Sequence, residues 1–223
     1  MFLVGHMATA FLIIYLLSKG MPAKRFSISI AMFLSVLPDV DIILQSIDVL
    51  PHQTLTHSAI VGGVASALLV IGSRSFVVVV YCISYMQHVL LGDIITGTIN
   101  LLYPFGNLPV GFGINFGTLF HIAIEVLLLV IMAAIVLKES FAGRVGFNTF
   151  FSYRRIDIIT YLLLILSLVL SFAYLLYRTE DLPRLFIETK SEIVLFVILH
   201  MAAILLVVFM ILVSHKRPII VRL

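Results

Sequence analysis

Long apolar runs divide this sequence, and they constrain its fold more than any other feature. Seven stretches are long enough, or nearly so, to cross about 30 Å of hydrocarbon as helices. Only 11% of the residues are charged and 62% are hydrophobic, whereas about a quarter of the residues of a soluble domain are charged. The sequence therefore predicts an all-α, polytopic membrane helix bundle with about seven transmembrane helices. The runs lie near residues 2–17, 26–47, 56–72, 75–95, 117–137, 157–177 and 193–214.

Basic residues are unevenly distributed between the loops that join these runs. If the first run ends in the cytoplasm, eleven lysines and arginines fall on that side and three on the other, namely Arg178, Arg184 and Lys190. Loops rich in lysine and arginine stay in the cytoplasm, so we expect the N-terminus outside a cell membrane and the C-terminus inside. The net charge of +3 then reflects orientation, and no nucleic-acid partner is expected. Lys19 follows the first run instead of preceding it, which argues against a cleaved signal peptide.

Histidine and acidic residues gather near the predicted outer ends of several helices. A charged side chain at the centre of a membrane helix costs about 2.5 to 3.5 kcal/mol on insertion scales, and no comparable set of lysines and arginines accompanies these residues. A metal cation would balance their charge, and imidazole nitrogen together with carboxylate oxygen suits zinc. The sequence therefore predicts one or more zinc ions, with another divalent metal as the alternative. The candidate ligands are His6, Asp39, Asp41, His52, His57, His88, Asp93, His121 and Glu125.

Spacing along the chain supports two pairs of these ligands. In "HIAIE", His121 and Glu125 are four residues apart, so on a helix they share one face and either bind one metal or hydrogen-bond each other. In "LPDVD", Pro38 disturbs the helix and allows Asp39 and Asp41 to turn toward a site. A helix cap for Asp39 and a solvated position for Asp41 are the alternatives.

The loop segment "HQTLTHS" precedes the third apolar run. Thr54 or Thr56 is expected to cap this helix, which would leave His57 in its first turn and His52 in the preceding loop. An exposed position is the alternative for His52, and an interfacial position is the alternative for His6.

The segment "HVLLGD" places His88 five residues before Asp93. On a regular α-helix these two side chains point about 140° apart. They meet only if a π-bulge intervenes or if the helix ends near Gly92. The metal-ligand interpretation of this pair therefore depends on an irregular helix.

Five short motifs, in this order, resemble those of the membrane-bound metal-dependent hydrolases of the YdjM type, a family of LexA-regulated inner-membrane proteins. That family is grouped by distant similarity with zinc-dependent phospholipase C and the zinc single-strand nucleases. The resemblance covers about residues 1–130. The motifs are "GH" at 5–6, "LPDVD" at 37–41, "HQTLTHS" at 52–58, "QHVLLGDIITG" at 87–97 and "LLYPFGNLPV" at 101–110.

The resemblance implies a metal-dependent phosphoester hydrolase site. Gln53 and Thr54 stand where the family usually has arginine and glycine, and the spacing from the helical histidine to its aspartate is one residue longer than usual. The implied matches are the early histidine at His6, the acidic pair at Asp39 and Asp41, the loop histidines at His52 and His57, the histidine–aspartate pair at His88 and Asp93, and the last histidine–glutamate pair at His121 and Glu125.

The function expected from these features is that of a membrane-embedded zinc hydrolase with membrane lipids as partners. Its substrate would be a phospholipid or a lipid-linked phosphate at the outer face, and Asp39 or Asp41 would orient a water molecule or act as the base. A metal ion transporter would place such ligands near the midplane, and a non-catalytic scaffold would need no convergent site. Residues 1–137 are expected to form the metal-site core, with 138–223 as C-terminal transmembrane helices packed on it. The stretch 96–117 is expected to fold back as a lid or a lipid-facing wall.

Overall fold

The computed structural model is mainly helical, and this confirms the predicted all-α class. It describes residues 3–19, 27–41, 54–106, 108–114, 118–141, 155–177 and 190–215. A short 3₁₀ helix (Leu37–Val40) follows α2, and a π-helix (His88–Asp93) follows α4. The helices are α1 (Leu3–Lys19), α2 (Ile28–Val36), α3 (Ala59–Ser73), α4 (Phe76–Gln87), α5 (Ile94–Thr96), α6 (Leu119–Phe141), α7 (Arg155–Tyr177) and α8 (Lys190–His215), and the strands are β1 (Ile99–Asn100) and β2 (Pro109–Val110).

Three helical segments of the described chain are long and apolar enough to cross a membrane. They are Phe76–Asp93, Leu119–Phe141 and Val194–Val213. Shorter apolar helices occupy the other four predicted runs, at Leu3–Lys19, Ile28–Asp39, Ala59–Ser73 and Asp157–Ser171. These lengths are consistent with a membrane protein, and the count of seven spans stays a prediction.

The first helix lies at the centre of the bundle. Ten residues of α1 are buried, and the helix packs against α2, α4, α6, α7 and α8. Small side chains such as those of Ala8 and Ala10 allow neighbouring membrane helices to approach closely. Helix α2 packs in turn against α4 and α7, whereas α3 packs mainly against α4. The central position of α1 carries His6 into the interior, where it is fully buried.

A polar cluster joins α7 to the start of α2. The hydroxyl of Ser27, which caps α2, donates a hydrogen bond to the carboxylate of Asp157. Ser29 donates to the same carboxylate at 3.0 Å, and Thr160 donates to Ser29 at 2.7 Å. These hydrogen bonds fix α7 against the N-terminal helices. The proposed domain division at residue 137 stays a prediction.

Ser58 caps α3, and neither Thr54 nor Thr56 does. The hydroxyl of Ser58 accepts a hydrogen bond from the backbone N–H three residues later, at 3.2 Å. The hydroxyl of Thr56 donates to the carboxylate of Asp41 instead. The predicted threonine cap is therefore wrong, and His57 lies just before the helix, outside its first turn.

A short hairpin follows the π-helix and folds back over the ends of α3 and α5. Strands β1 and β2 pair antiparallel, with Ile99 opposite Val110. The N–H of Ala59 donates to the carbonyl of Leu101 at 3.1 Å. This contact places the hairpin beside the segment that carries His57.

Candidate metal centre

The π-helix brings His88 and Asp93 together. A π-helix has hydrogen bonds between residues five apart, so these two side chains lie on the same side, and the Nε2 atom of His88 is 3.4 Å from Oδ2 of Asp93. The structure thus meets the geometric condition that the spacing in "HVLLGD" requires. Gly92 is also needed here, because a Cβ at this position would lie 2.1 Å from Cε1 of His6.

One group of candidate ligands consists of Asp39, His57 and His88. The 3₁₀ helix after Pro38 turns the Asp39 carboxylate inward, and its Oδ1 atom lies 3.4 Å from Nε2 of both histidines. The two Nε2 atoms are 3.1 Å apart. These three ligand atoms, from three separate segments of the chain, surround one small volume and could hold a metal ion.

A second group consists of His6, His88 and Asp93, and it shares His88 with the first. The Nε2 atom of His6 lies 3.6 Å from Oδ1 of Asp93. The rings of His6 and His88 stack with their centroids 3.5 Å apart and an interplanar angle of 15°. Within each group, the ligand atoms lie within 4.8 Å of one another. The two groups form one continuous cluster of five side chains, which we call the metal cluster: His6, Asp39, His57, His88 and Asp93.

Hydrogen bonds on the far side of two imidazoles determine which nitrogen faces the metal cluster. The Nδ1 atom of His88 lies 2.7 Å from the backbone carbonyl of Ser35 and donates to it. The Nδ1 atom of His57 lies 3.1 Å from Oδ2 of Asp41. Metal-binding histidines commonly donate their second N–H to a carbonyl or carboxylate in this way. The Nε2 atoms of both rings therefore face the metal cluster.

Asp41 is fully buried behind His57. Its Oδ2 atom accepts the hydroxyl hydrogen bond of Thr56 and also faces the His57 ring. Tyr85 of α4 donates its hydroxyl to the carbonyl of Thr56 at 2.8 Å. This chain of contacts holds the carboxylate of Asp41 against Nδ1 of His57. Asp41 therefore contacts the nitrogen opposite to Nε2, the atom that faces the metal cluster.

The charge of the pocket favours a positive occupant. Burial by itself would lower the pKa of His57, but hydrogen bonds to Asp39 and Asp41, together with the negative charge of Asp93, raise that pKa to about 10. Opposite charges at this distance stabilise the charged form of a group. The same carboxylates would stabilise a metal cation.

The imidazole of His6 is fully buried, and neither of its ring nitrogens has a hydrogen-bond partner among the described residues. Leaving a buried polar atom without a partner costs free energy. A metal ion beside Nε2 would remove this cost. The donor set of imidazole nitrogens and carboxylate oxygens fits a divalent metal ion.

His121 and Glu125 form a separate buried pair on α6. Nε2 of His121 lies 3.4 Å from Oε1 of Glu125. The carboxylate packs against Gly5, where a Cβ would lie 2.5 Å from both of its oxygens. The pair therefore touches α1 one residue before His6, outside both groups of the metal cluster.

Two residues complete the comparison with the sequence predictions. His52 lies outside the described residues. Gln87, which the sequence interpretation did not select, is buried and donates its amide to the carbonyl of His6 at 3.2 Å. The signal that could have identified it is a polar side chain in an apolar run, directly before His88.

Comparisons of the chain with protein-family models, with curated proteins and with solved structures found no significant match.

Proposed function

We propose that this protein is a membrane-embedded, metal-dependent hydrolase that cleaves a phosphoester of a membrane lipid. The observation that carries the proposal is the convergence of three imidazole Nε2 atoms and two carboxylates, with Nδ1 of His57 and of His88 held from behind.

The spacing of the ligand atoms supports zinc as the metal. Tetrahedral ligands that bind zinc at 2.0 to 2.2 Å lie about 3.3 to 3.6 Å from one another. Asp39 is 3.4 Å from His57 and 3.4 Å from His88, and these two histidines are 3.1 Å apart. The first group would thus hold one ion, and His6 with Asp93 extends the cluster toward a second.

A bound zinc ion supplies Lewis acidity and lowers the pKa of a coordinated water molecule to about 7. The protein orients the metal ligands and determines the side from which water and substrate reach the metal cluster. The side chain of Asp39 is 12% exposed, whereas those of His57 and Asp41 are 1% and 0% exposed. In this proposal water and substrate approach on the Asp39 side, and the carboxylate oxygen of Asp39 that does not bind the metal would accept a proton from the attacking water.

Asp41 has a different role in this proposal. Because it is buried and contacts Nδ1 of His57, it orients the ring and balances its charge. Of the two carboxylates in "LPDVD", Asp39 thus acts at the open side of the metal cluster, and Asp41 supports the ligand His57.

The location of the cluster supports a lipid substrate. His88 and Asp93 belong to the last turns of Phe76–Asp93, a segment able to cross a membrane. Their position at its end supports a location of the cluster near a membrane boundary, where lipid head groups carry phosphoesters. The distribution of basic residues makes the outer face the proposed side.

The test combines metal analysis with a hydrolysis assay on protein in lipid nanodiscs. We expect the wild-type protein to contain zinc and to hydrolyse a phospholipid or a phosphodiester. The variants His57→Ala and Asp39→Ala should lose activity, whereas Ser167→Ala, a partly buried position on α7 outside the metal cluster, should behave like the wild type. Bound zinc without turnover would favour transport or a structural role, and protein that binds no divalent metal would exclude the proposal.

A further inference from the structure

The hairpin after the π-helix exposes large apolar side chains. Phe105 is 81% exposed and Phe112 is 77% exposed, and Leu102 and Leu108 are exposed beside them. Residues 94–120 contain no aspartate, glutamate, lysine or arginine. A loop surrounded by water would be expected to carry charge and to hide such side chains.

Backbone hydrogen bonds hold this hairpin in place. The N–H of Phe112 donates to the carbonyl of Ile94 at 2.7 Å. On the other side, the hydroxyl of Ser58 donates to the carbonyl of Tyr103. Gly111 packs directly on the carbonyl of Gly97, with no space for a Cβ. The exposed phenylalanines are therefore presented by a tethered hairpin.

The tethering points are sequence neighbours of two residues of the metal cluster. Ile94 directly follows Asp93, and Ser58 directly follows His57. These contacts thus link the position of the hairpin to the positions of the two ligands.

The chain topology places the hairpin at a membrane boundary. Two segments able to span a membrane, Phe76–Asp93 and Leu119–Phe141, lie directly before and after it. A connection between consecutive spans remains on one side of the bilayer. Leu119 and Phe120, at the start of α6, are also exposed.

We propose that the hairpin, residues 99–114, inserts Phe105 and Phe112 into the membrane leaflet next to the metal cluster. Apolar side chains such as phenylalanine and leucine are stabilised by burial at the boundary between the lipid head groups and the acyl chains. The partner is a lipid surface, and the insertion requires neither bound metal nor catalysis. It would hold the open side of the metal cluster at the depth of the head groups.

The absence of tryptophan in the sequence makes the depth of the hairpin directly measurable. Phe105→Trp and Phe112→Trp each introduce a single fluorescent reporter into the full chain, reconstituted in vesicles of phosphatidylcholine and phosphatidylglycerol. Lipids brominated near the top of the acyl chain should quench both reporters, and iodide in the water should not. The emission maximum should also lie to the blue of that of a water-exposed tryptophan.

Two control variants calibrate this measurement. Ser73→Trp, at the exposed C-terminal end of α3, should be quenched if iodide reaches that side of the vesicle. Val130→Trp, an exposed position in the middle of α6, should be quenched by lipids brominated deep in the acyl chain. Retention of bound metal by each variant would show that the cluster is intact, so a failed insertion and a failed metal proposal are distinguishable.

Two results would overturn the insertion. Quenching of both hairpin reporters by iodide, without an effect of brominated lipid, would place the hairpin in water. Protection from both quenchers, together with cross-linking between chains at Phe105, would show that a second copy of the protein covers it.

Discussion

The Nδ1 atom of His88 donates a hydrogen bond to the backbone carbonyl of Ser35 across a distance of 2.7 Å. Ser35 lies in the last turn of α2, directly before the 3₁₀ helix that carries Asp39. One contact therefore orients the ring of His88 and also fixes α2 so that the Asp39 carboxylate meets Nε2 of the same ring.

His88 belongs to both groups of the metal cluster, so the variant His88→Ala should lose more metal than any other single ligand change. We expect metal content by mass spectrometry to fall to background. His200→Ala is the matched control, since His200 is also a buried histidine but lies on α8, where Nδ1 contacts the carbonyl of Phe196. Full metal retention by His88→Ala would contradict the shared-ligand geometry.

Asp41→Asn should weaken metal binding without abolishing it. Loss of a carboxylate behind a metal-binding histidine typically lowers metal affinity about 10- to 100-fold, because the ring loses its orientation and its charge balance. Competition with a chelator of known affinity measures this change. If Asp41→Asn removed metal as completely as His57→Ala, Asp41 would have to be a direct ligand.

Gly92→Ala should displace His6. The added Cβ would lie 2.1 Å from the ring, and overpacking of this kind costs about 1 to 3 kcal/mol. We expect a lower unfolding temperature and weaker metal binding. Gly63→Ala is the control, because nothing lies within 4 Å of an added Cβ there; that change should be neutral or slightly stabilising.

The metal-free protein should lose stability as the pH rises from about 6.5 to about 10. The pKa of His57 is raised from 6.5 to about 10 in the folded protein, so the protonated ring stabilises the fold. That contribution is complete below the unfolded pKa and is lost as the pH rises through the folded one. Thermal unfolding in chelator measures this slope, and His57→Gln should flatten it. Metal binding should strengthen over the same range, since it must displace the proton.

Asp157→Ala should destabilise the contact between α7 and α2. The hydroxyls of Ser27 and Ser29 would lose their acceptor, at a cost of about 1 to 3 kcal/mol for a buried group. Thermal unfolding measures the loss, with Ser167→Ala, on the same helix, as the control. Metal content per folded molecule should not change, because Asp157, Ser27 and Ser29 are not part of the metal cluster. A drop in metal content at full stability would contradict that separation.

Several features of the site could be predicted from the local sequence. The spacing in "HVLLGD" required an irregular helix if His88 was to meet Asp93, and a π-helix is present. Pro38 indicated an interrupted helix before Asp39, and a 3₁₀ helix follows it. The sequence predicted Thr54 or Thr56 as the cap of α3, whereas Ser58 caps it. Thr56 was already engaged by Asp41, 15 residues earlier in the chain.

The sequence by itself determined the helical class and the apolar segments, because hydrophobic length and the exclusion of charge from hydrocarbon act on each segment separately. It also supplied the residue types that bind metals. Only the tertiary structure decided that His6 stacks on His88, that Asp39 faces the cluster while Asp41 lies behind His57, and that His121 and Glu125 form a separate pair. These relationships depend on how closely helices that are distant in sequence approach each other. At Gly92, for example, the missing Cβ leaves space that the ring of His6 from another helix occupies.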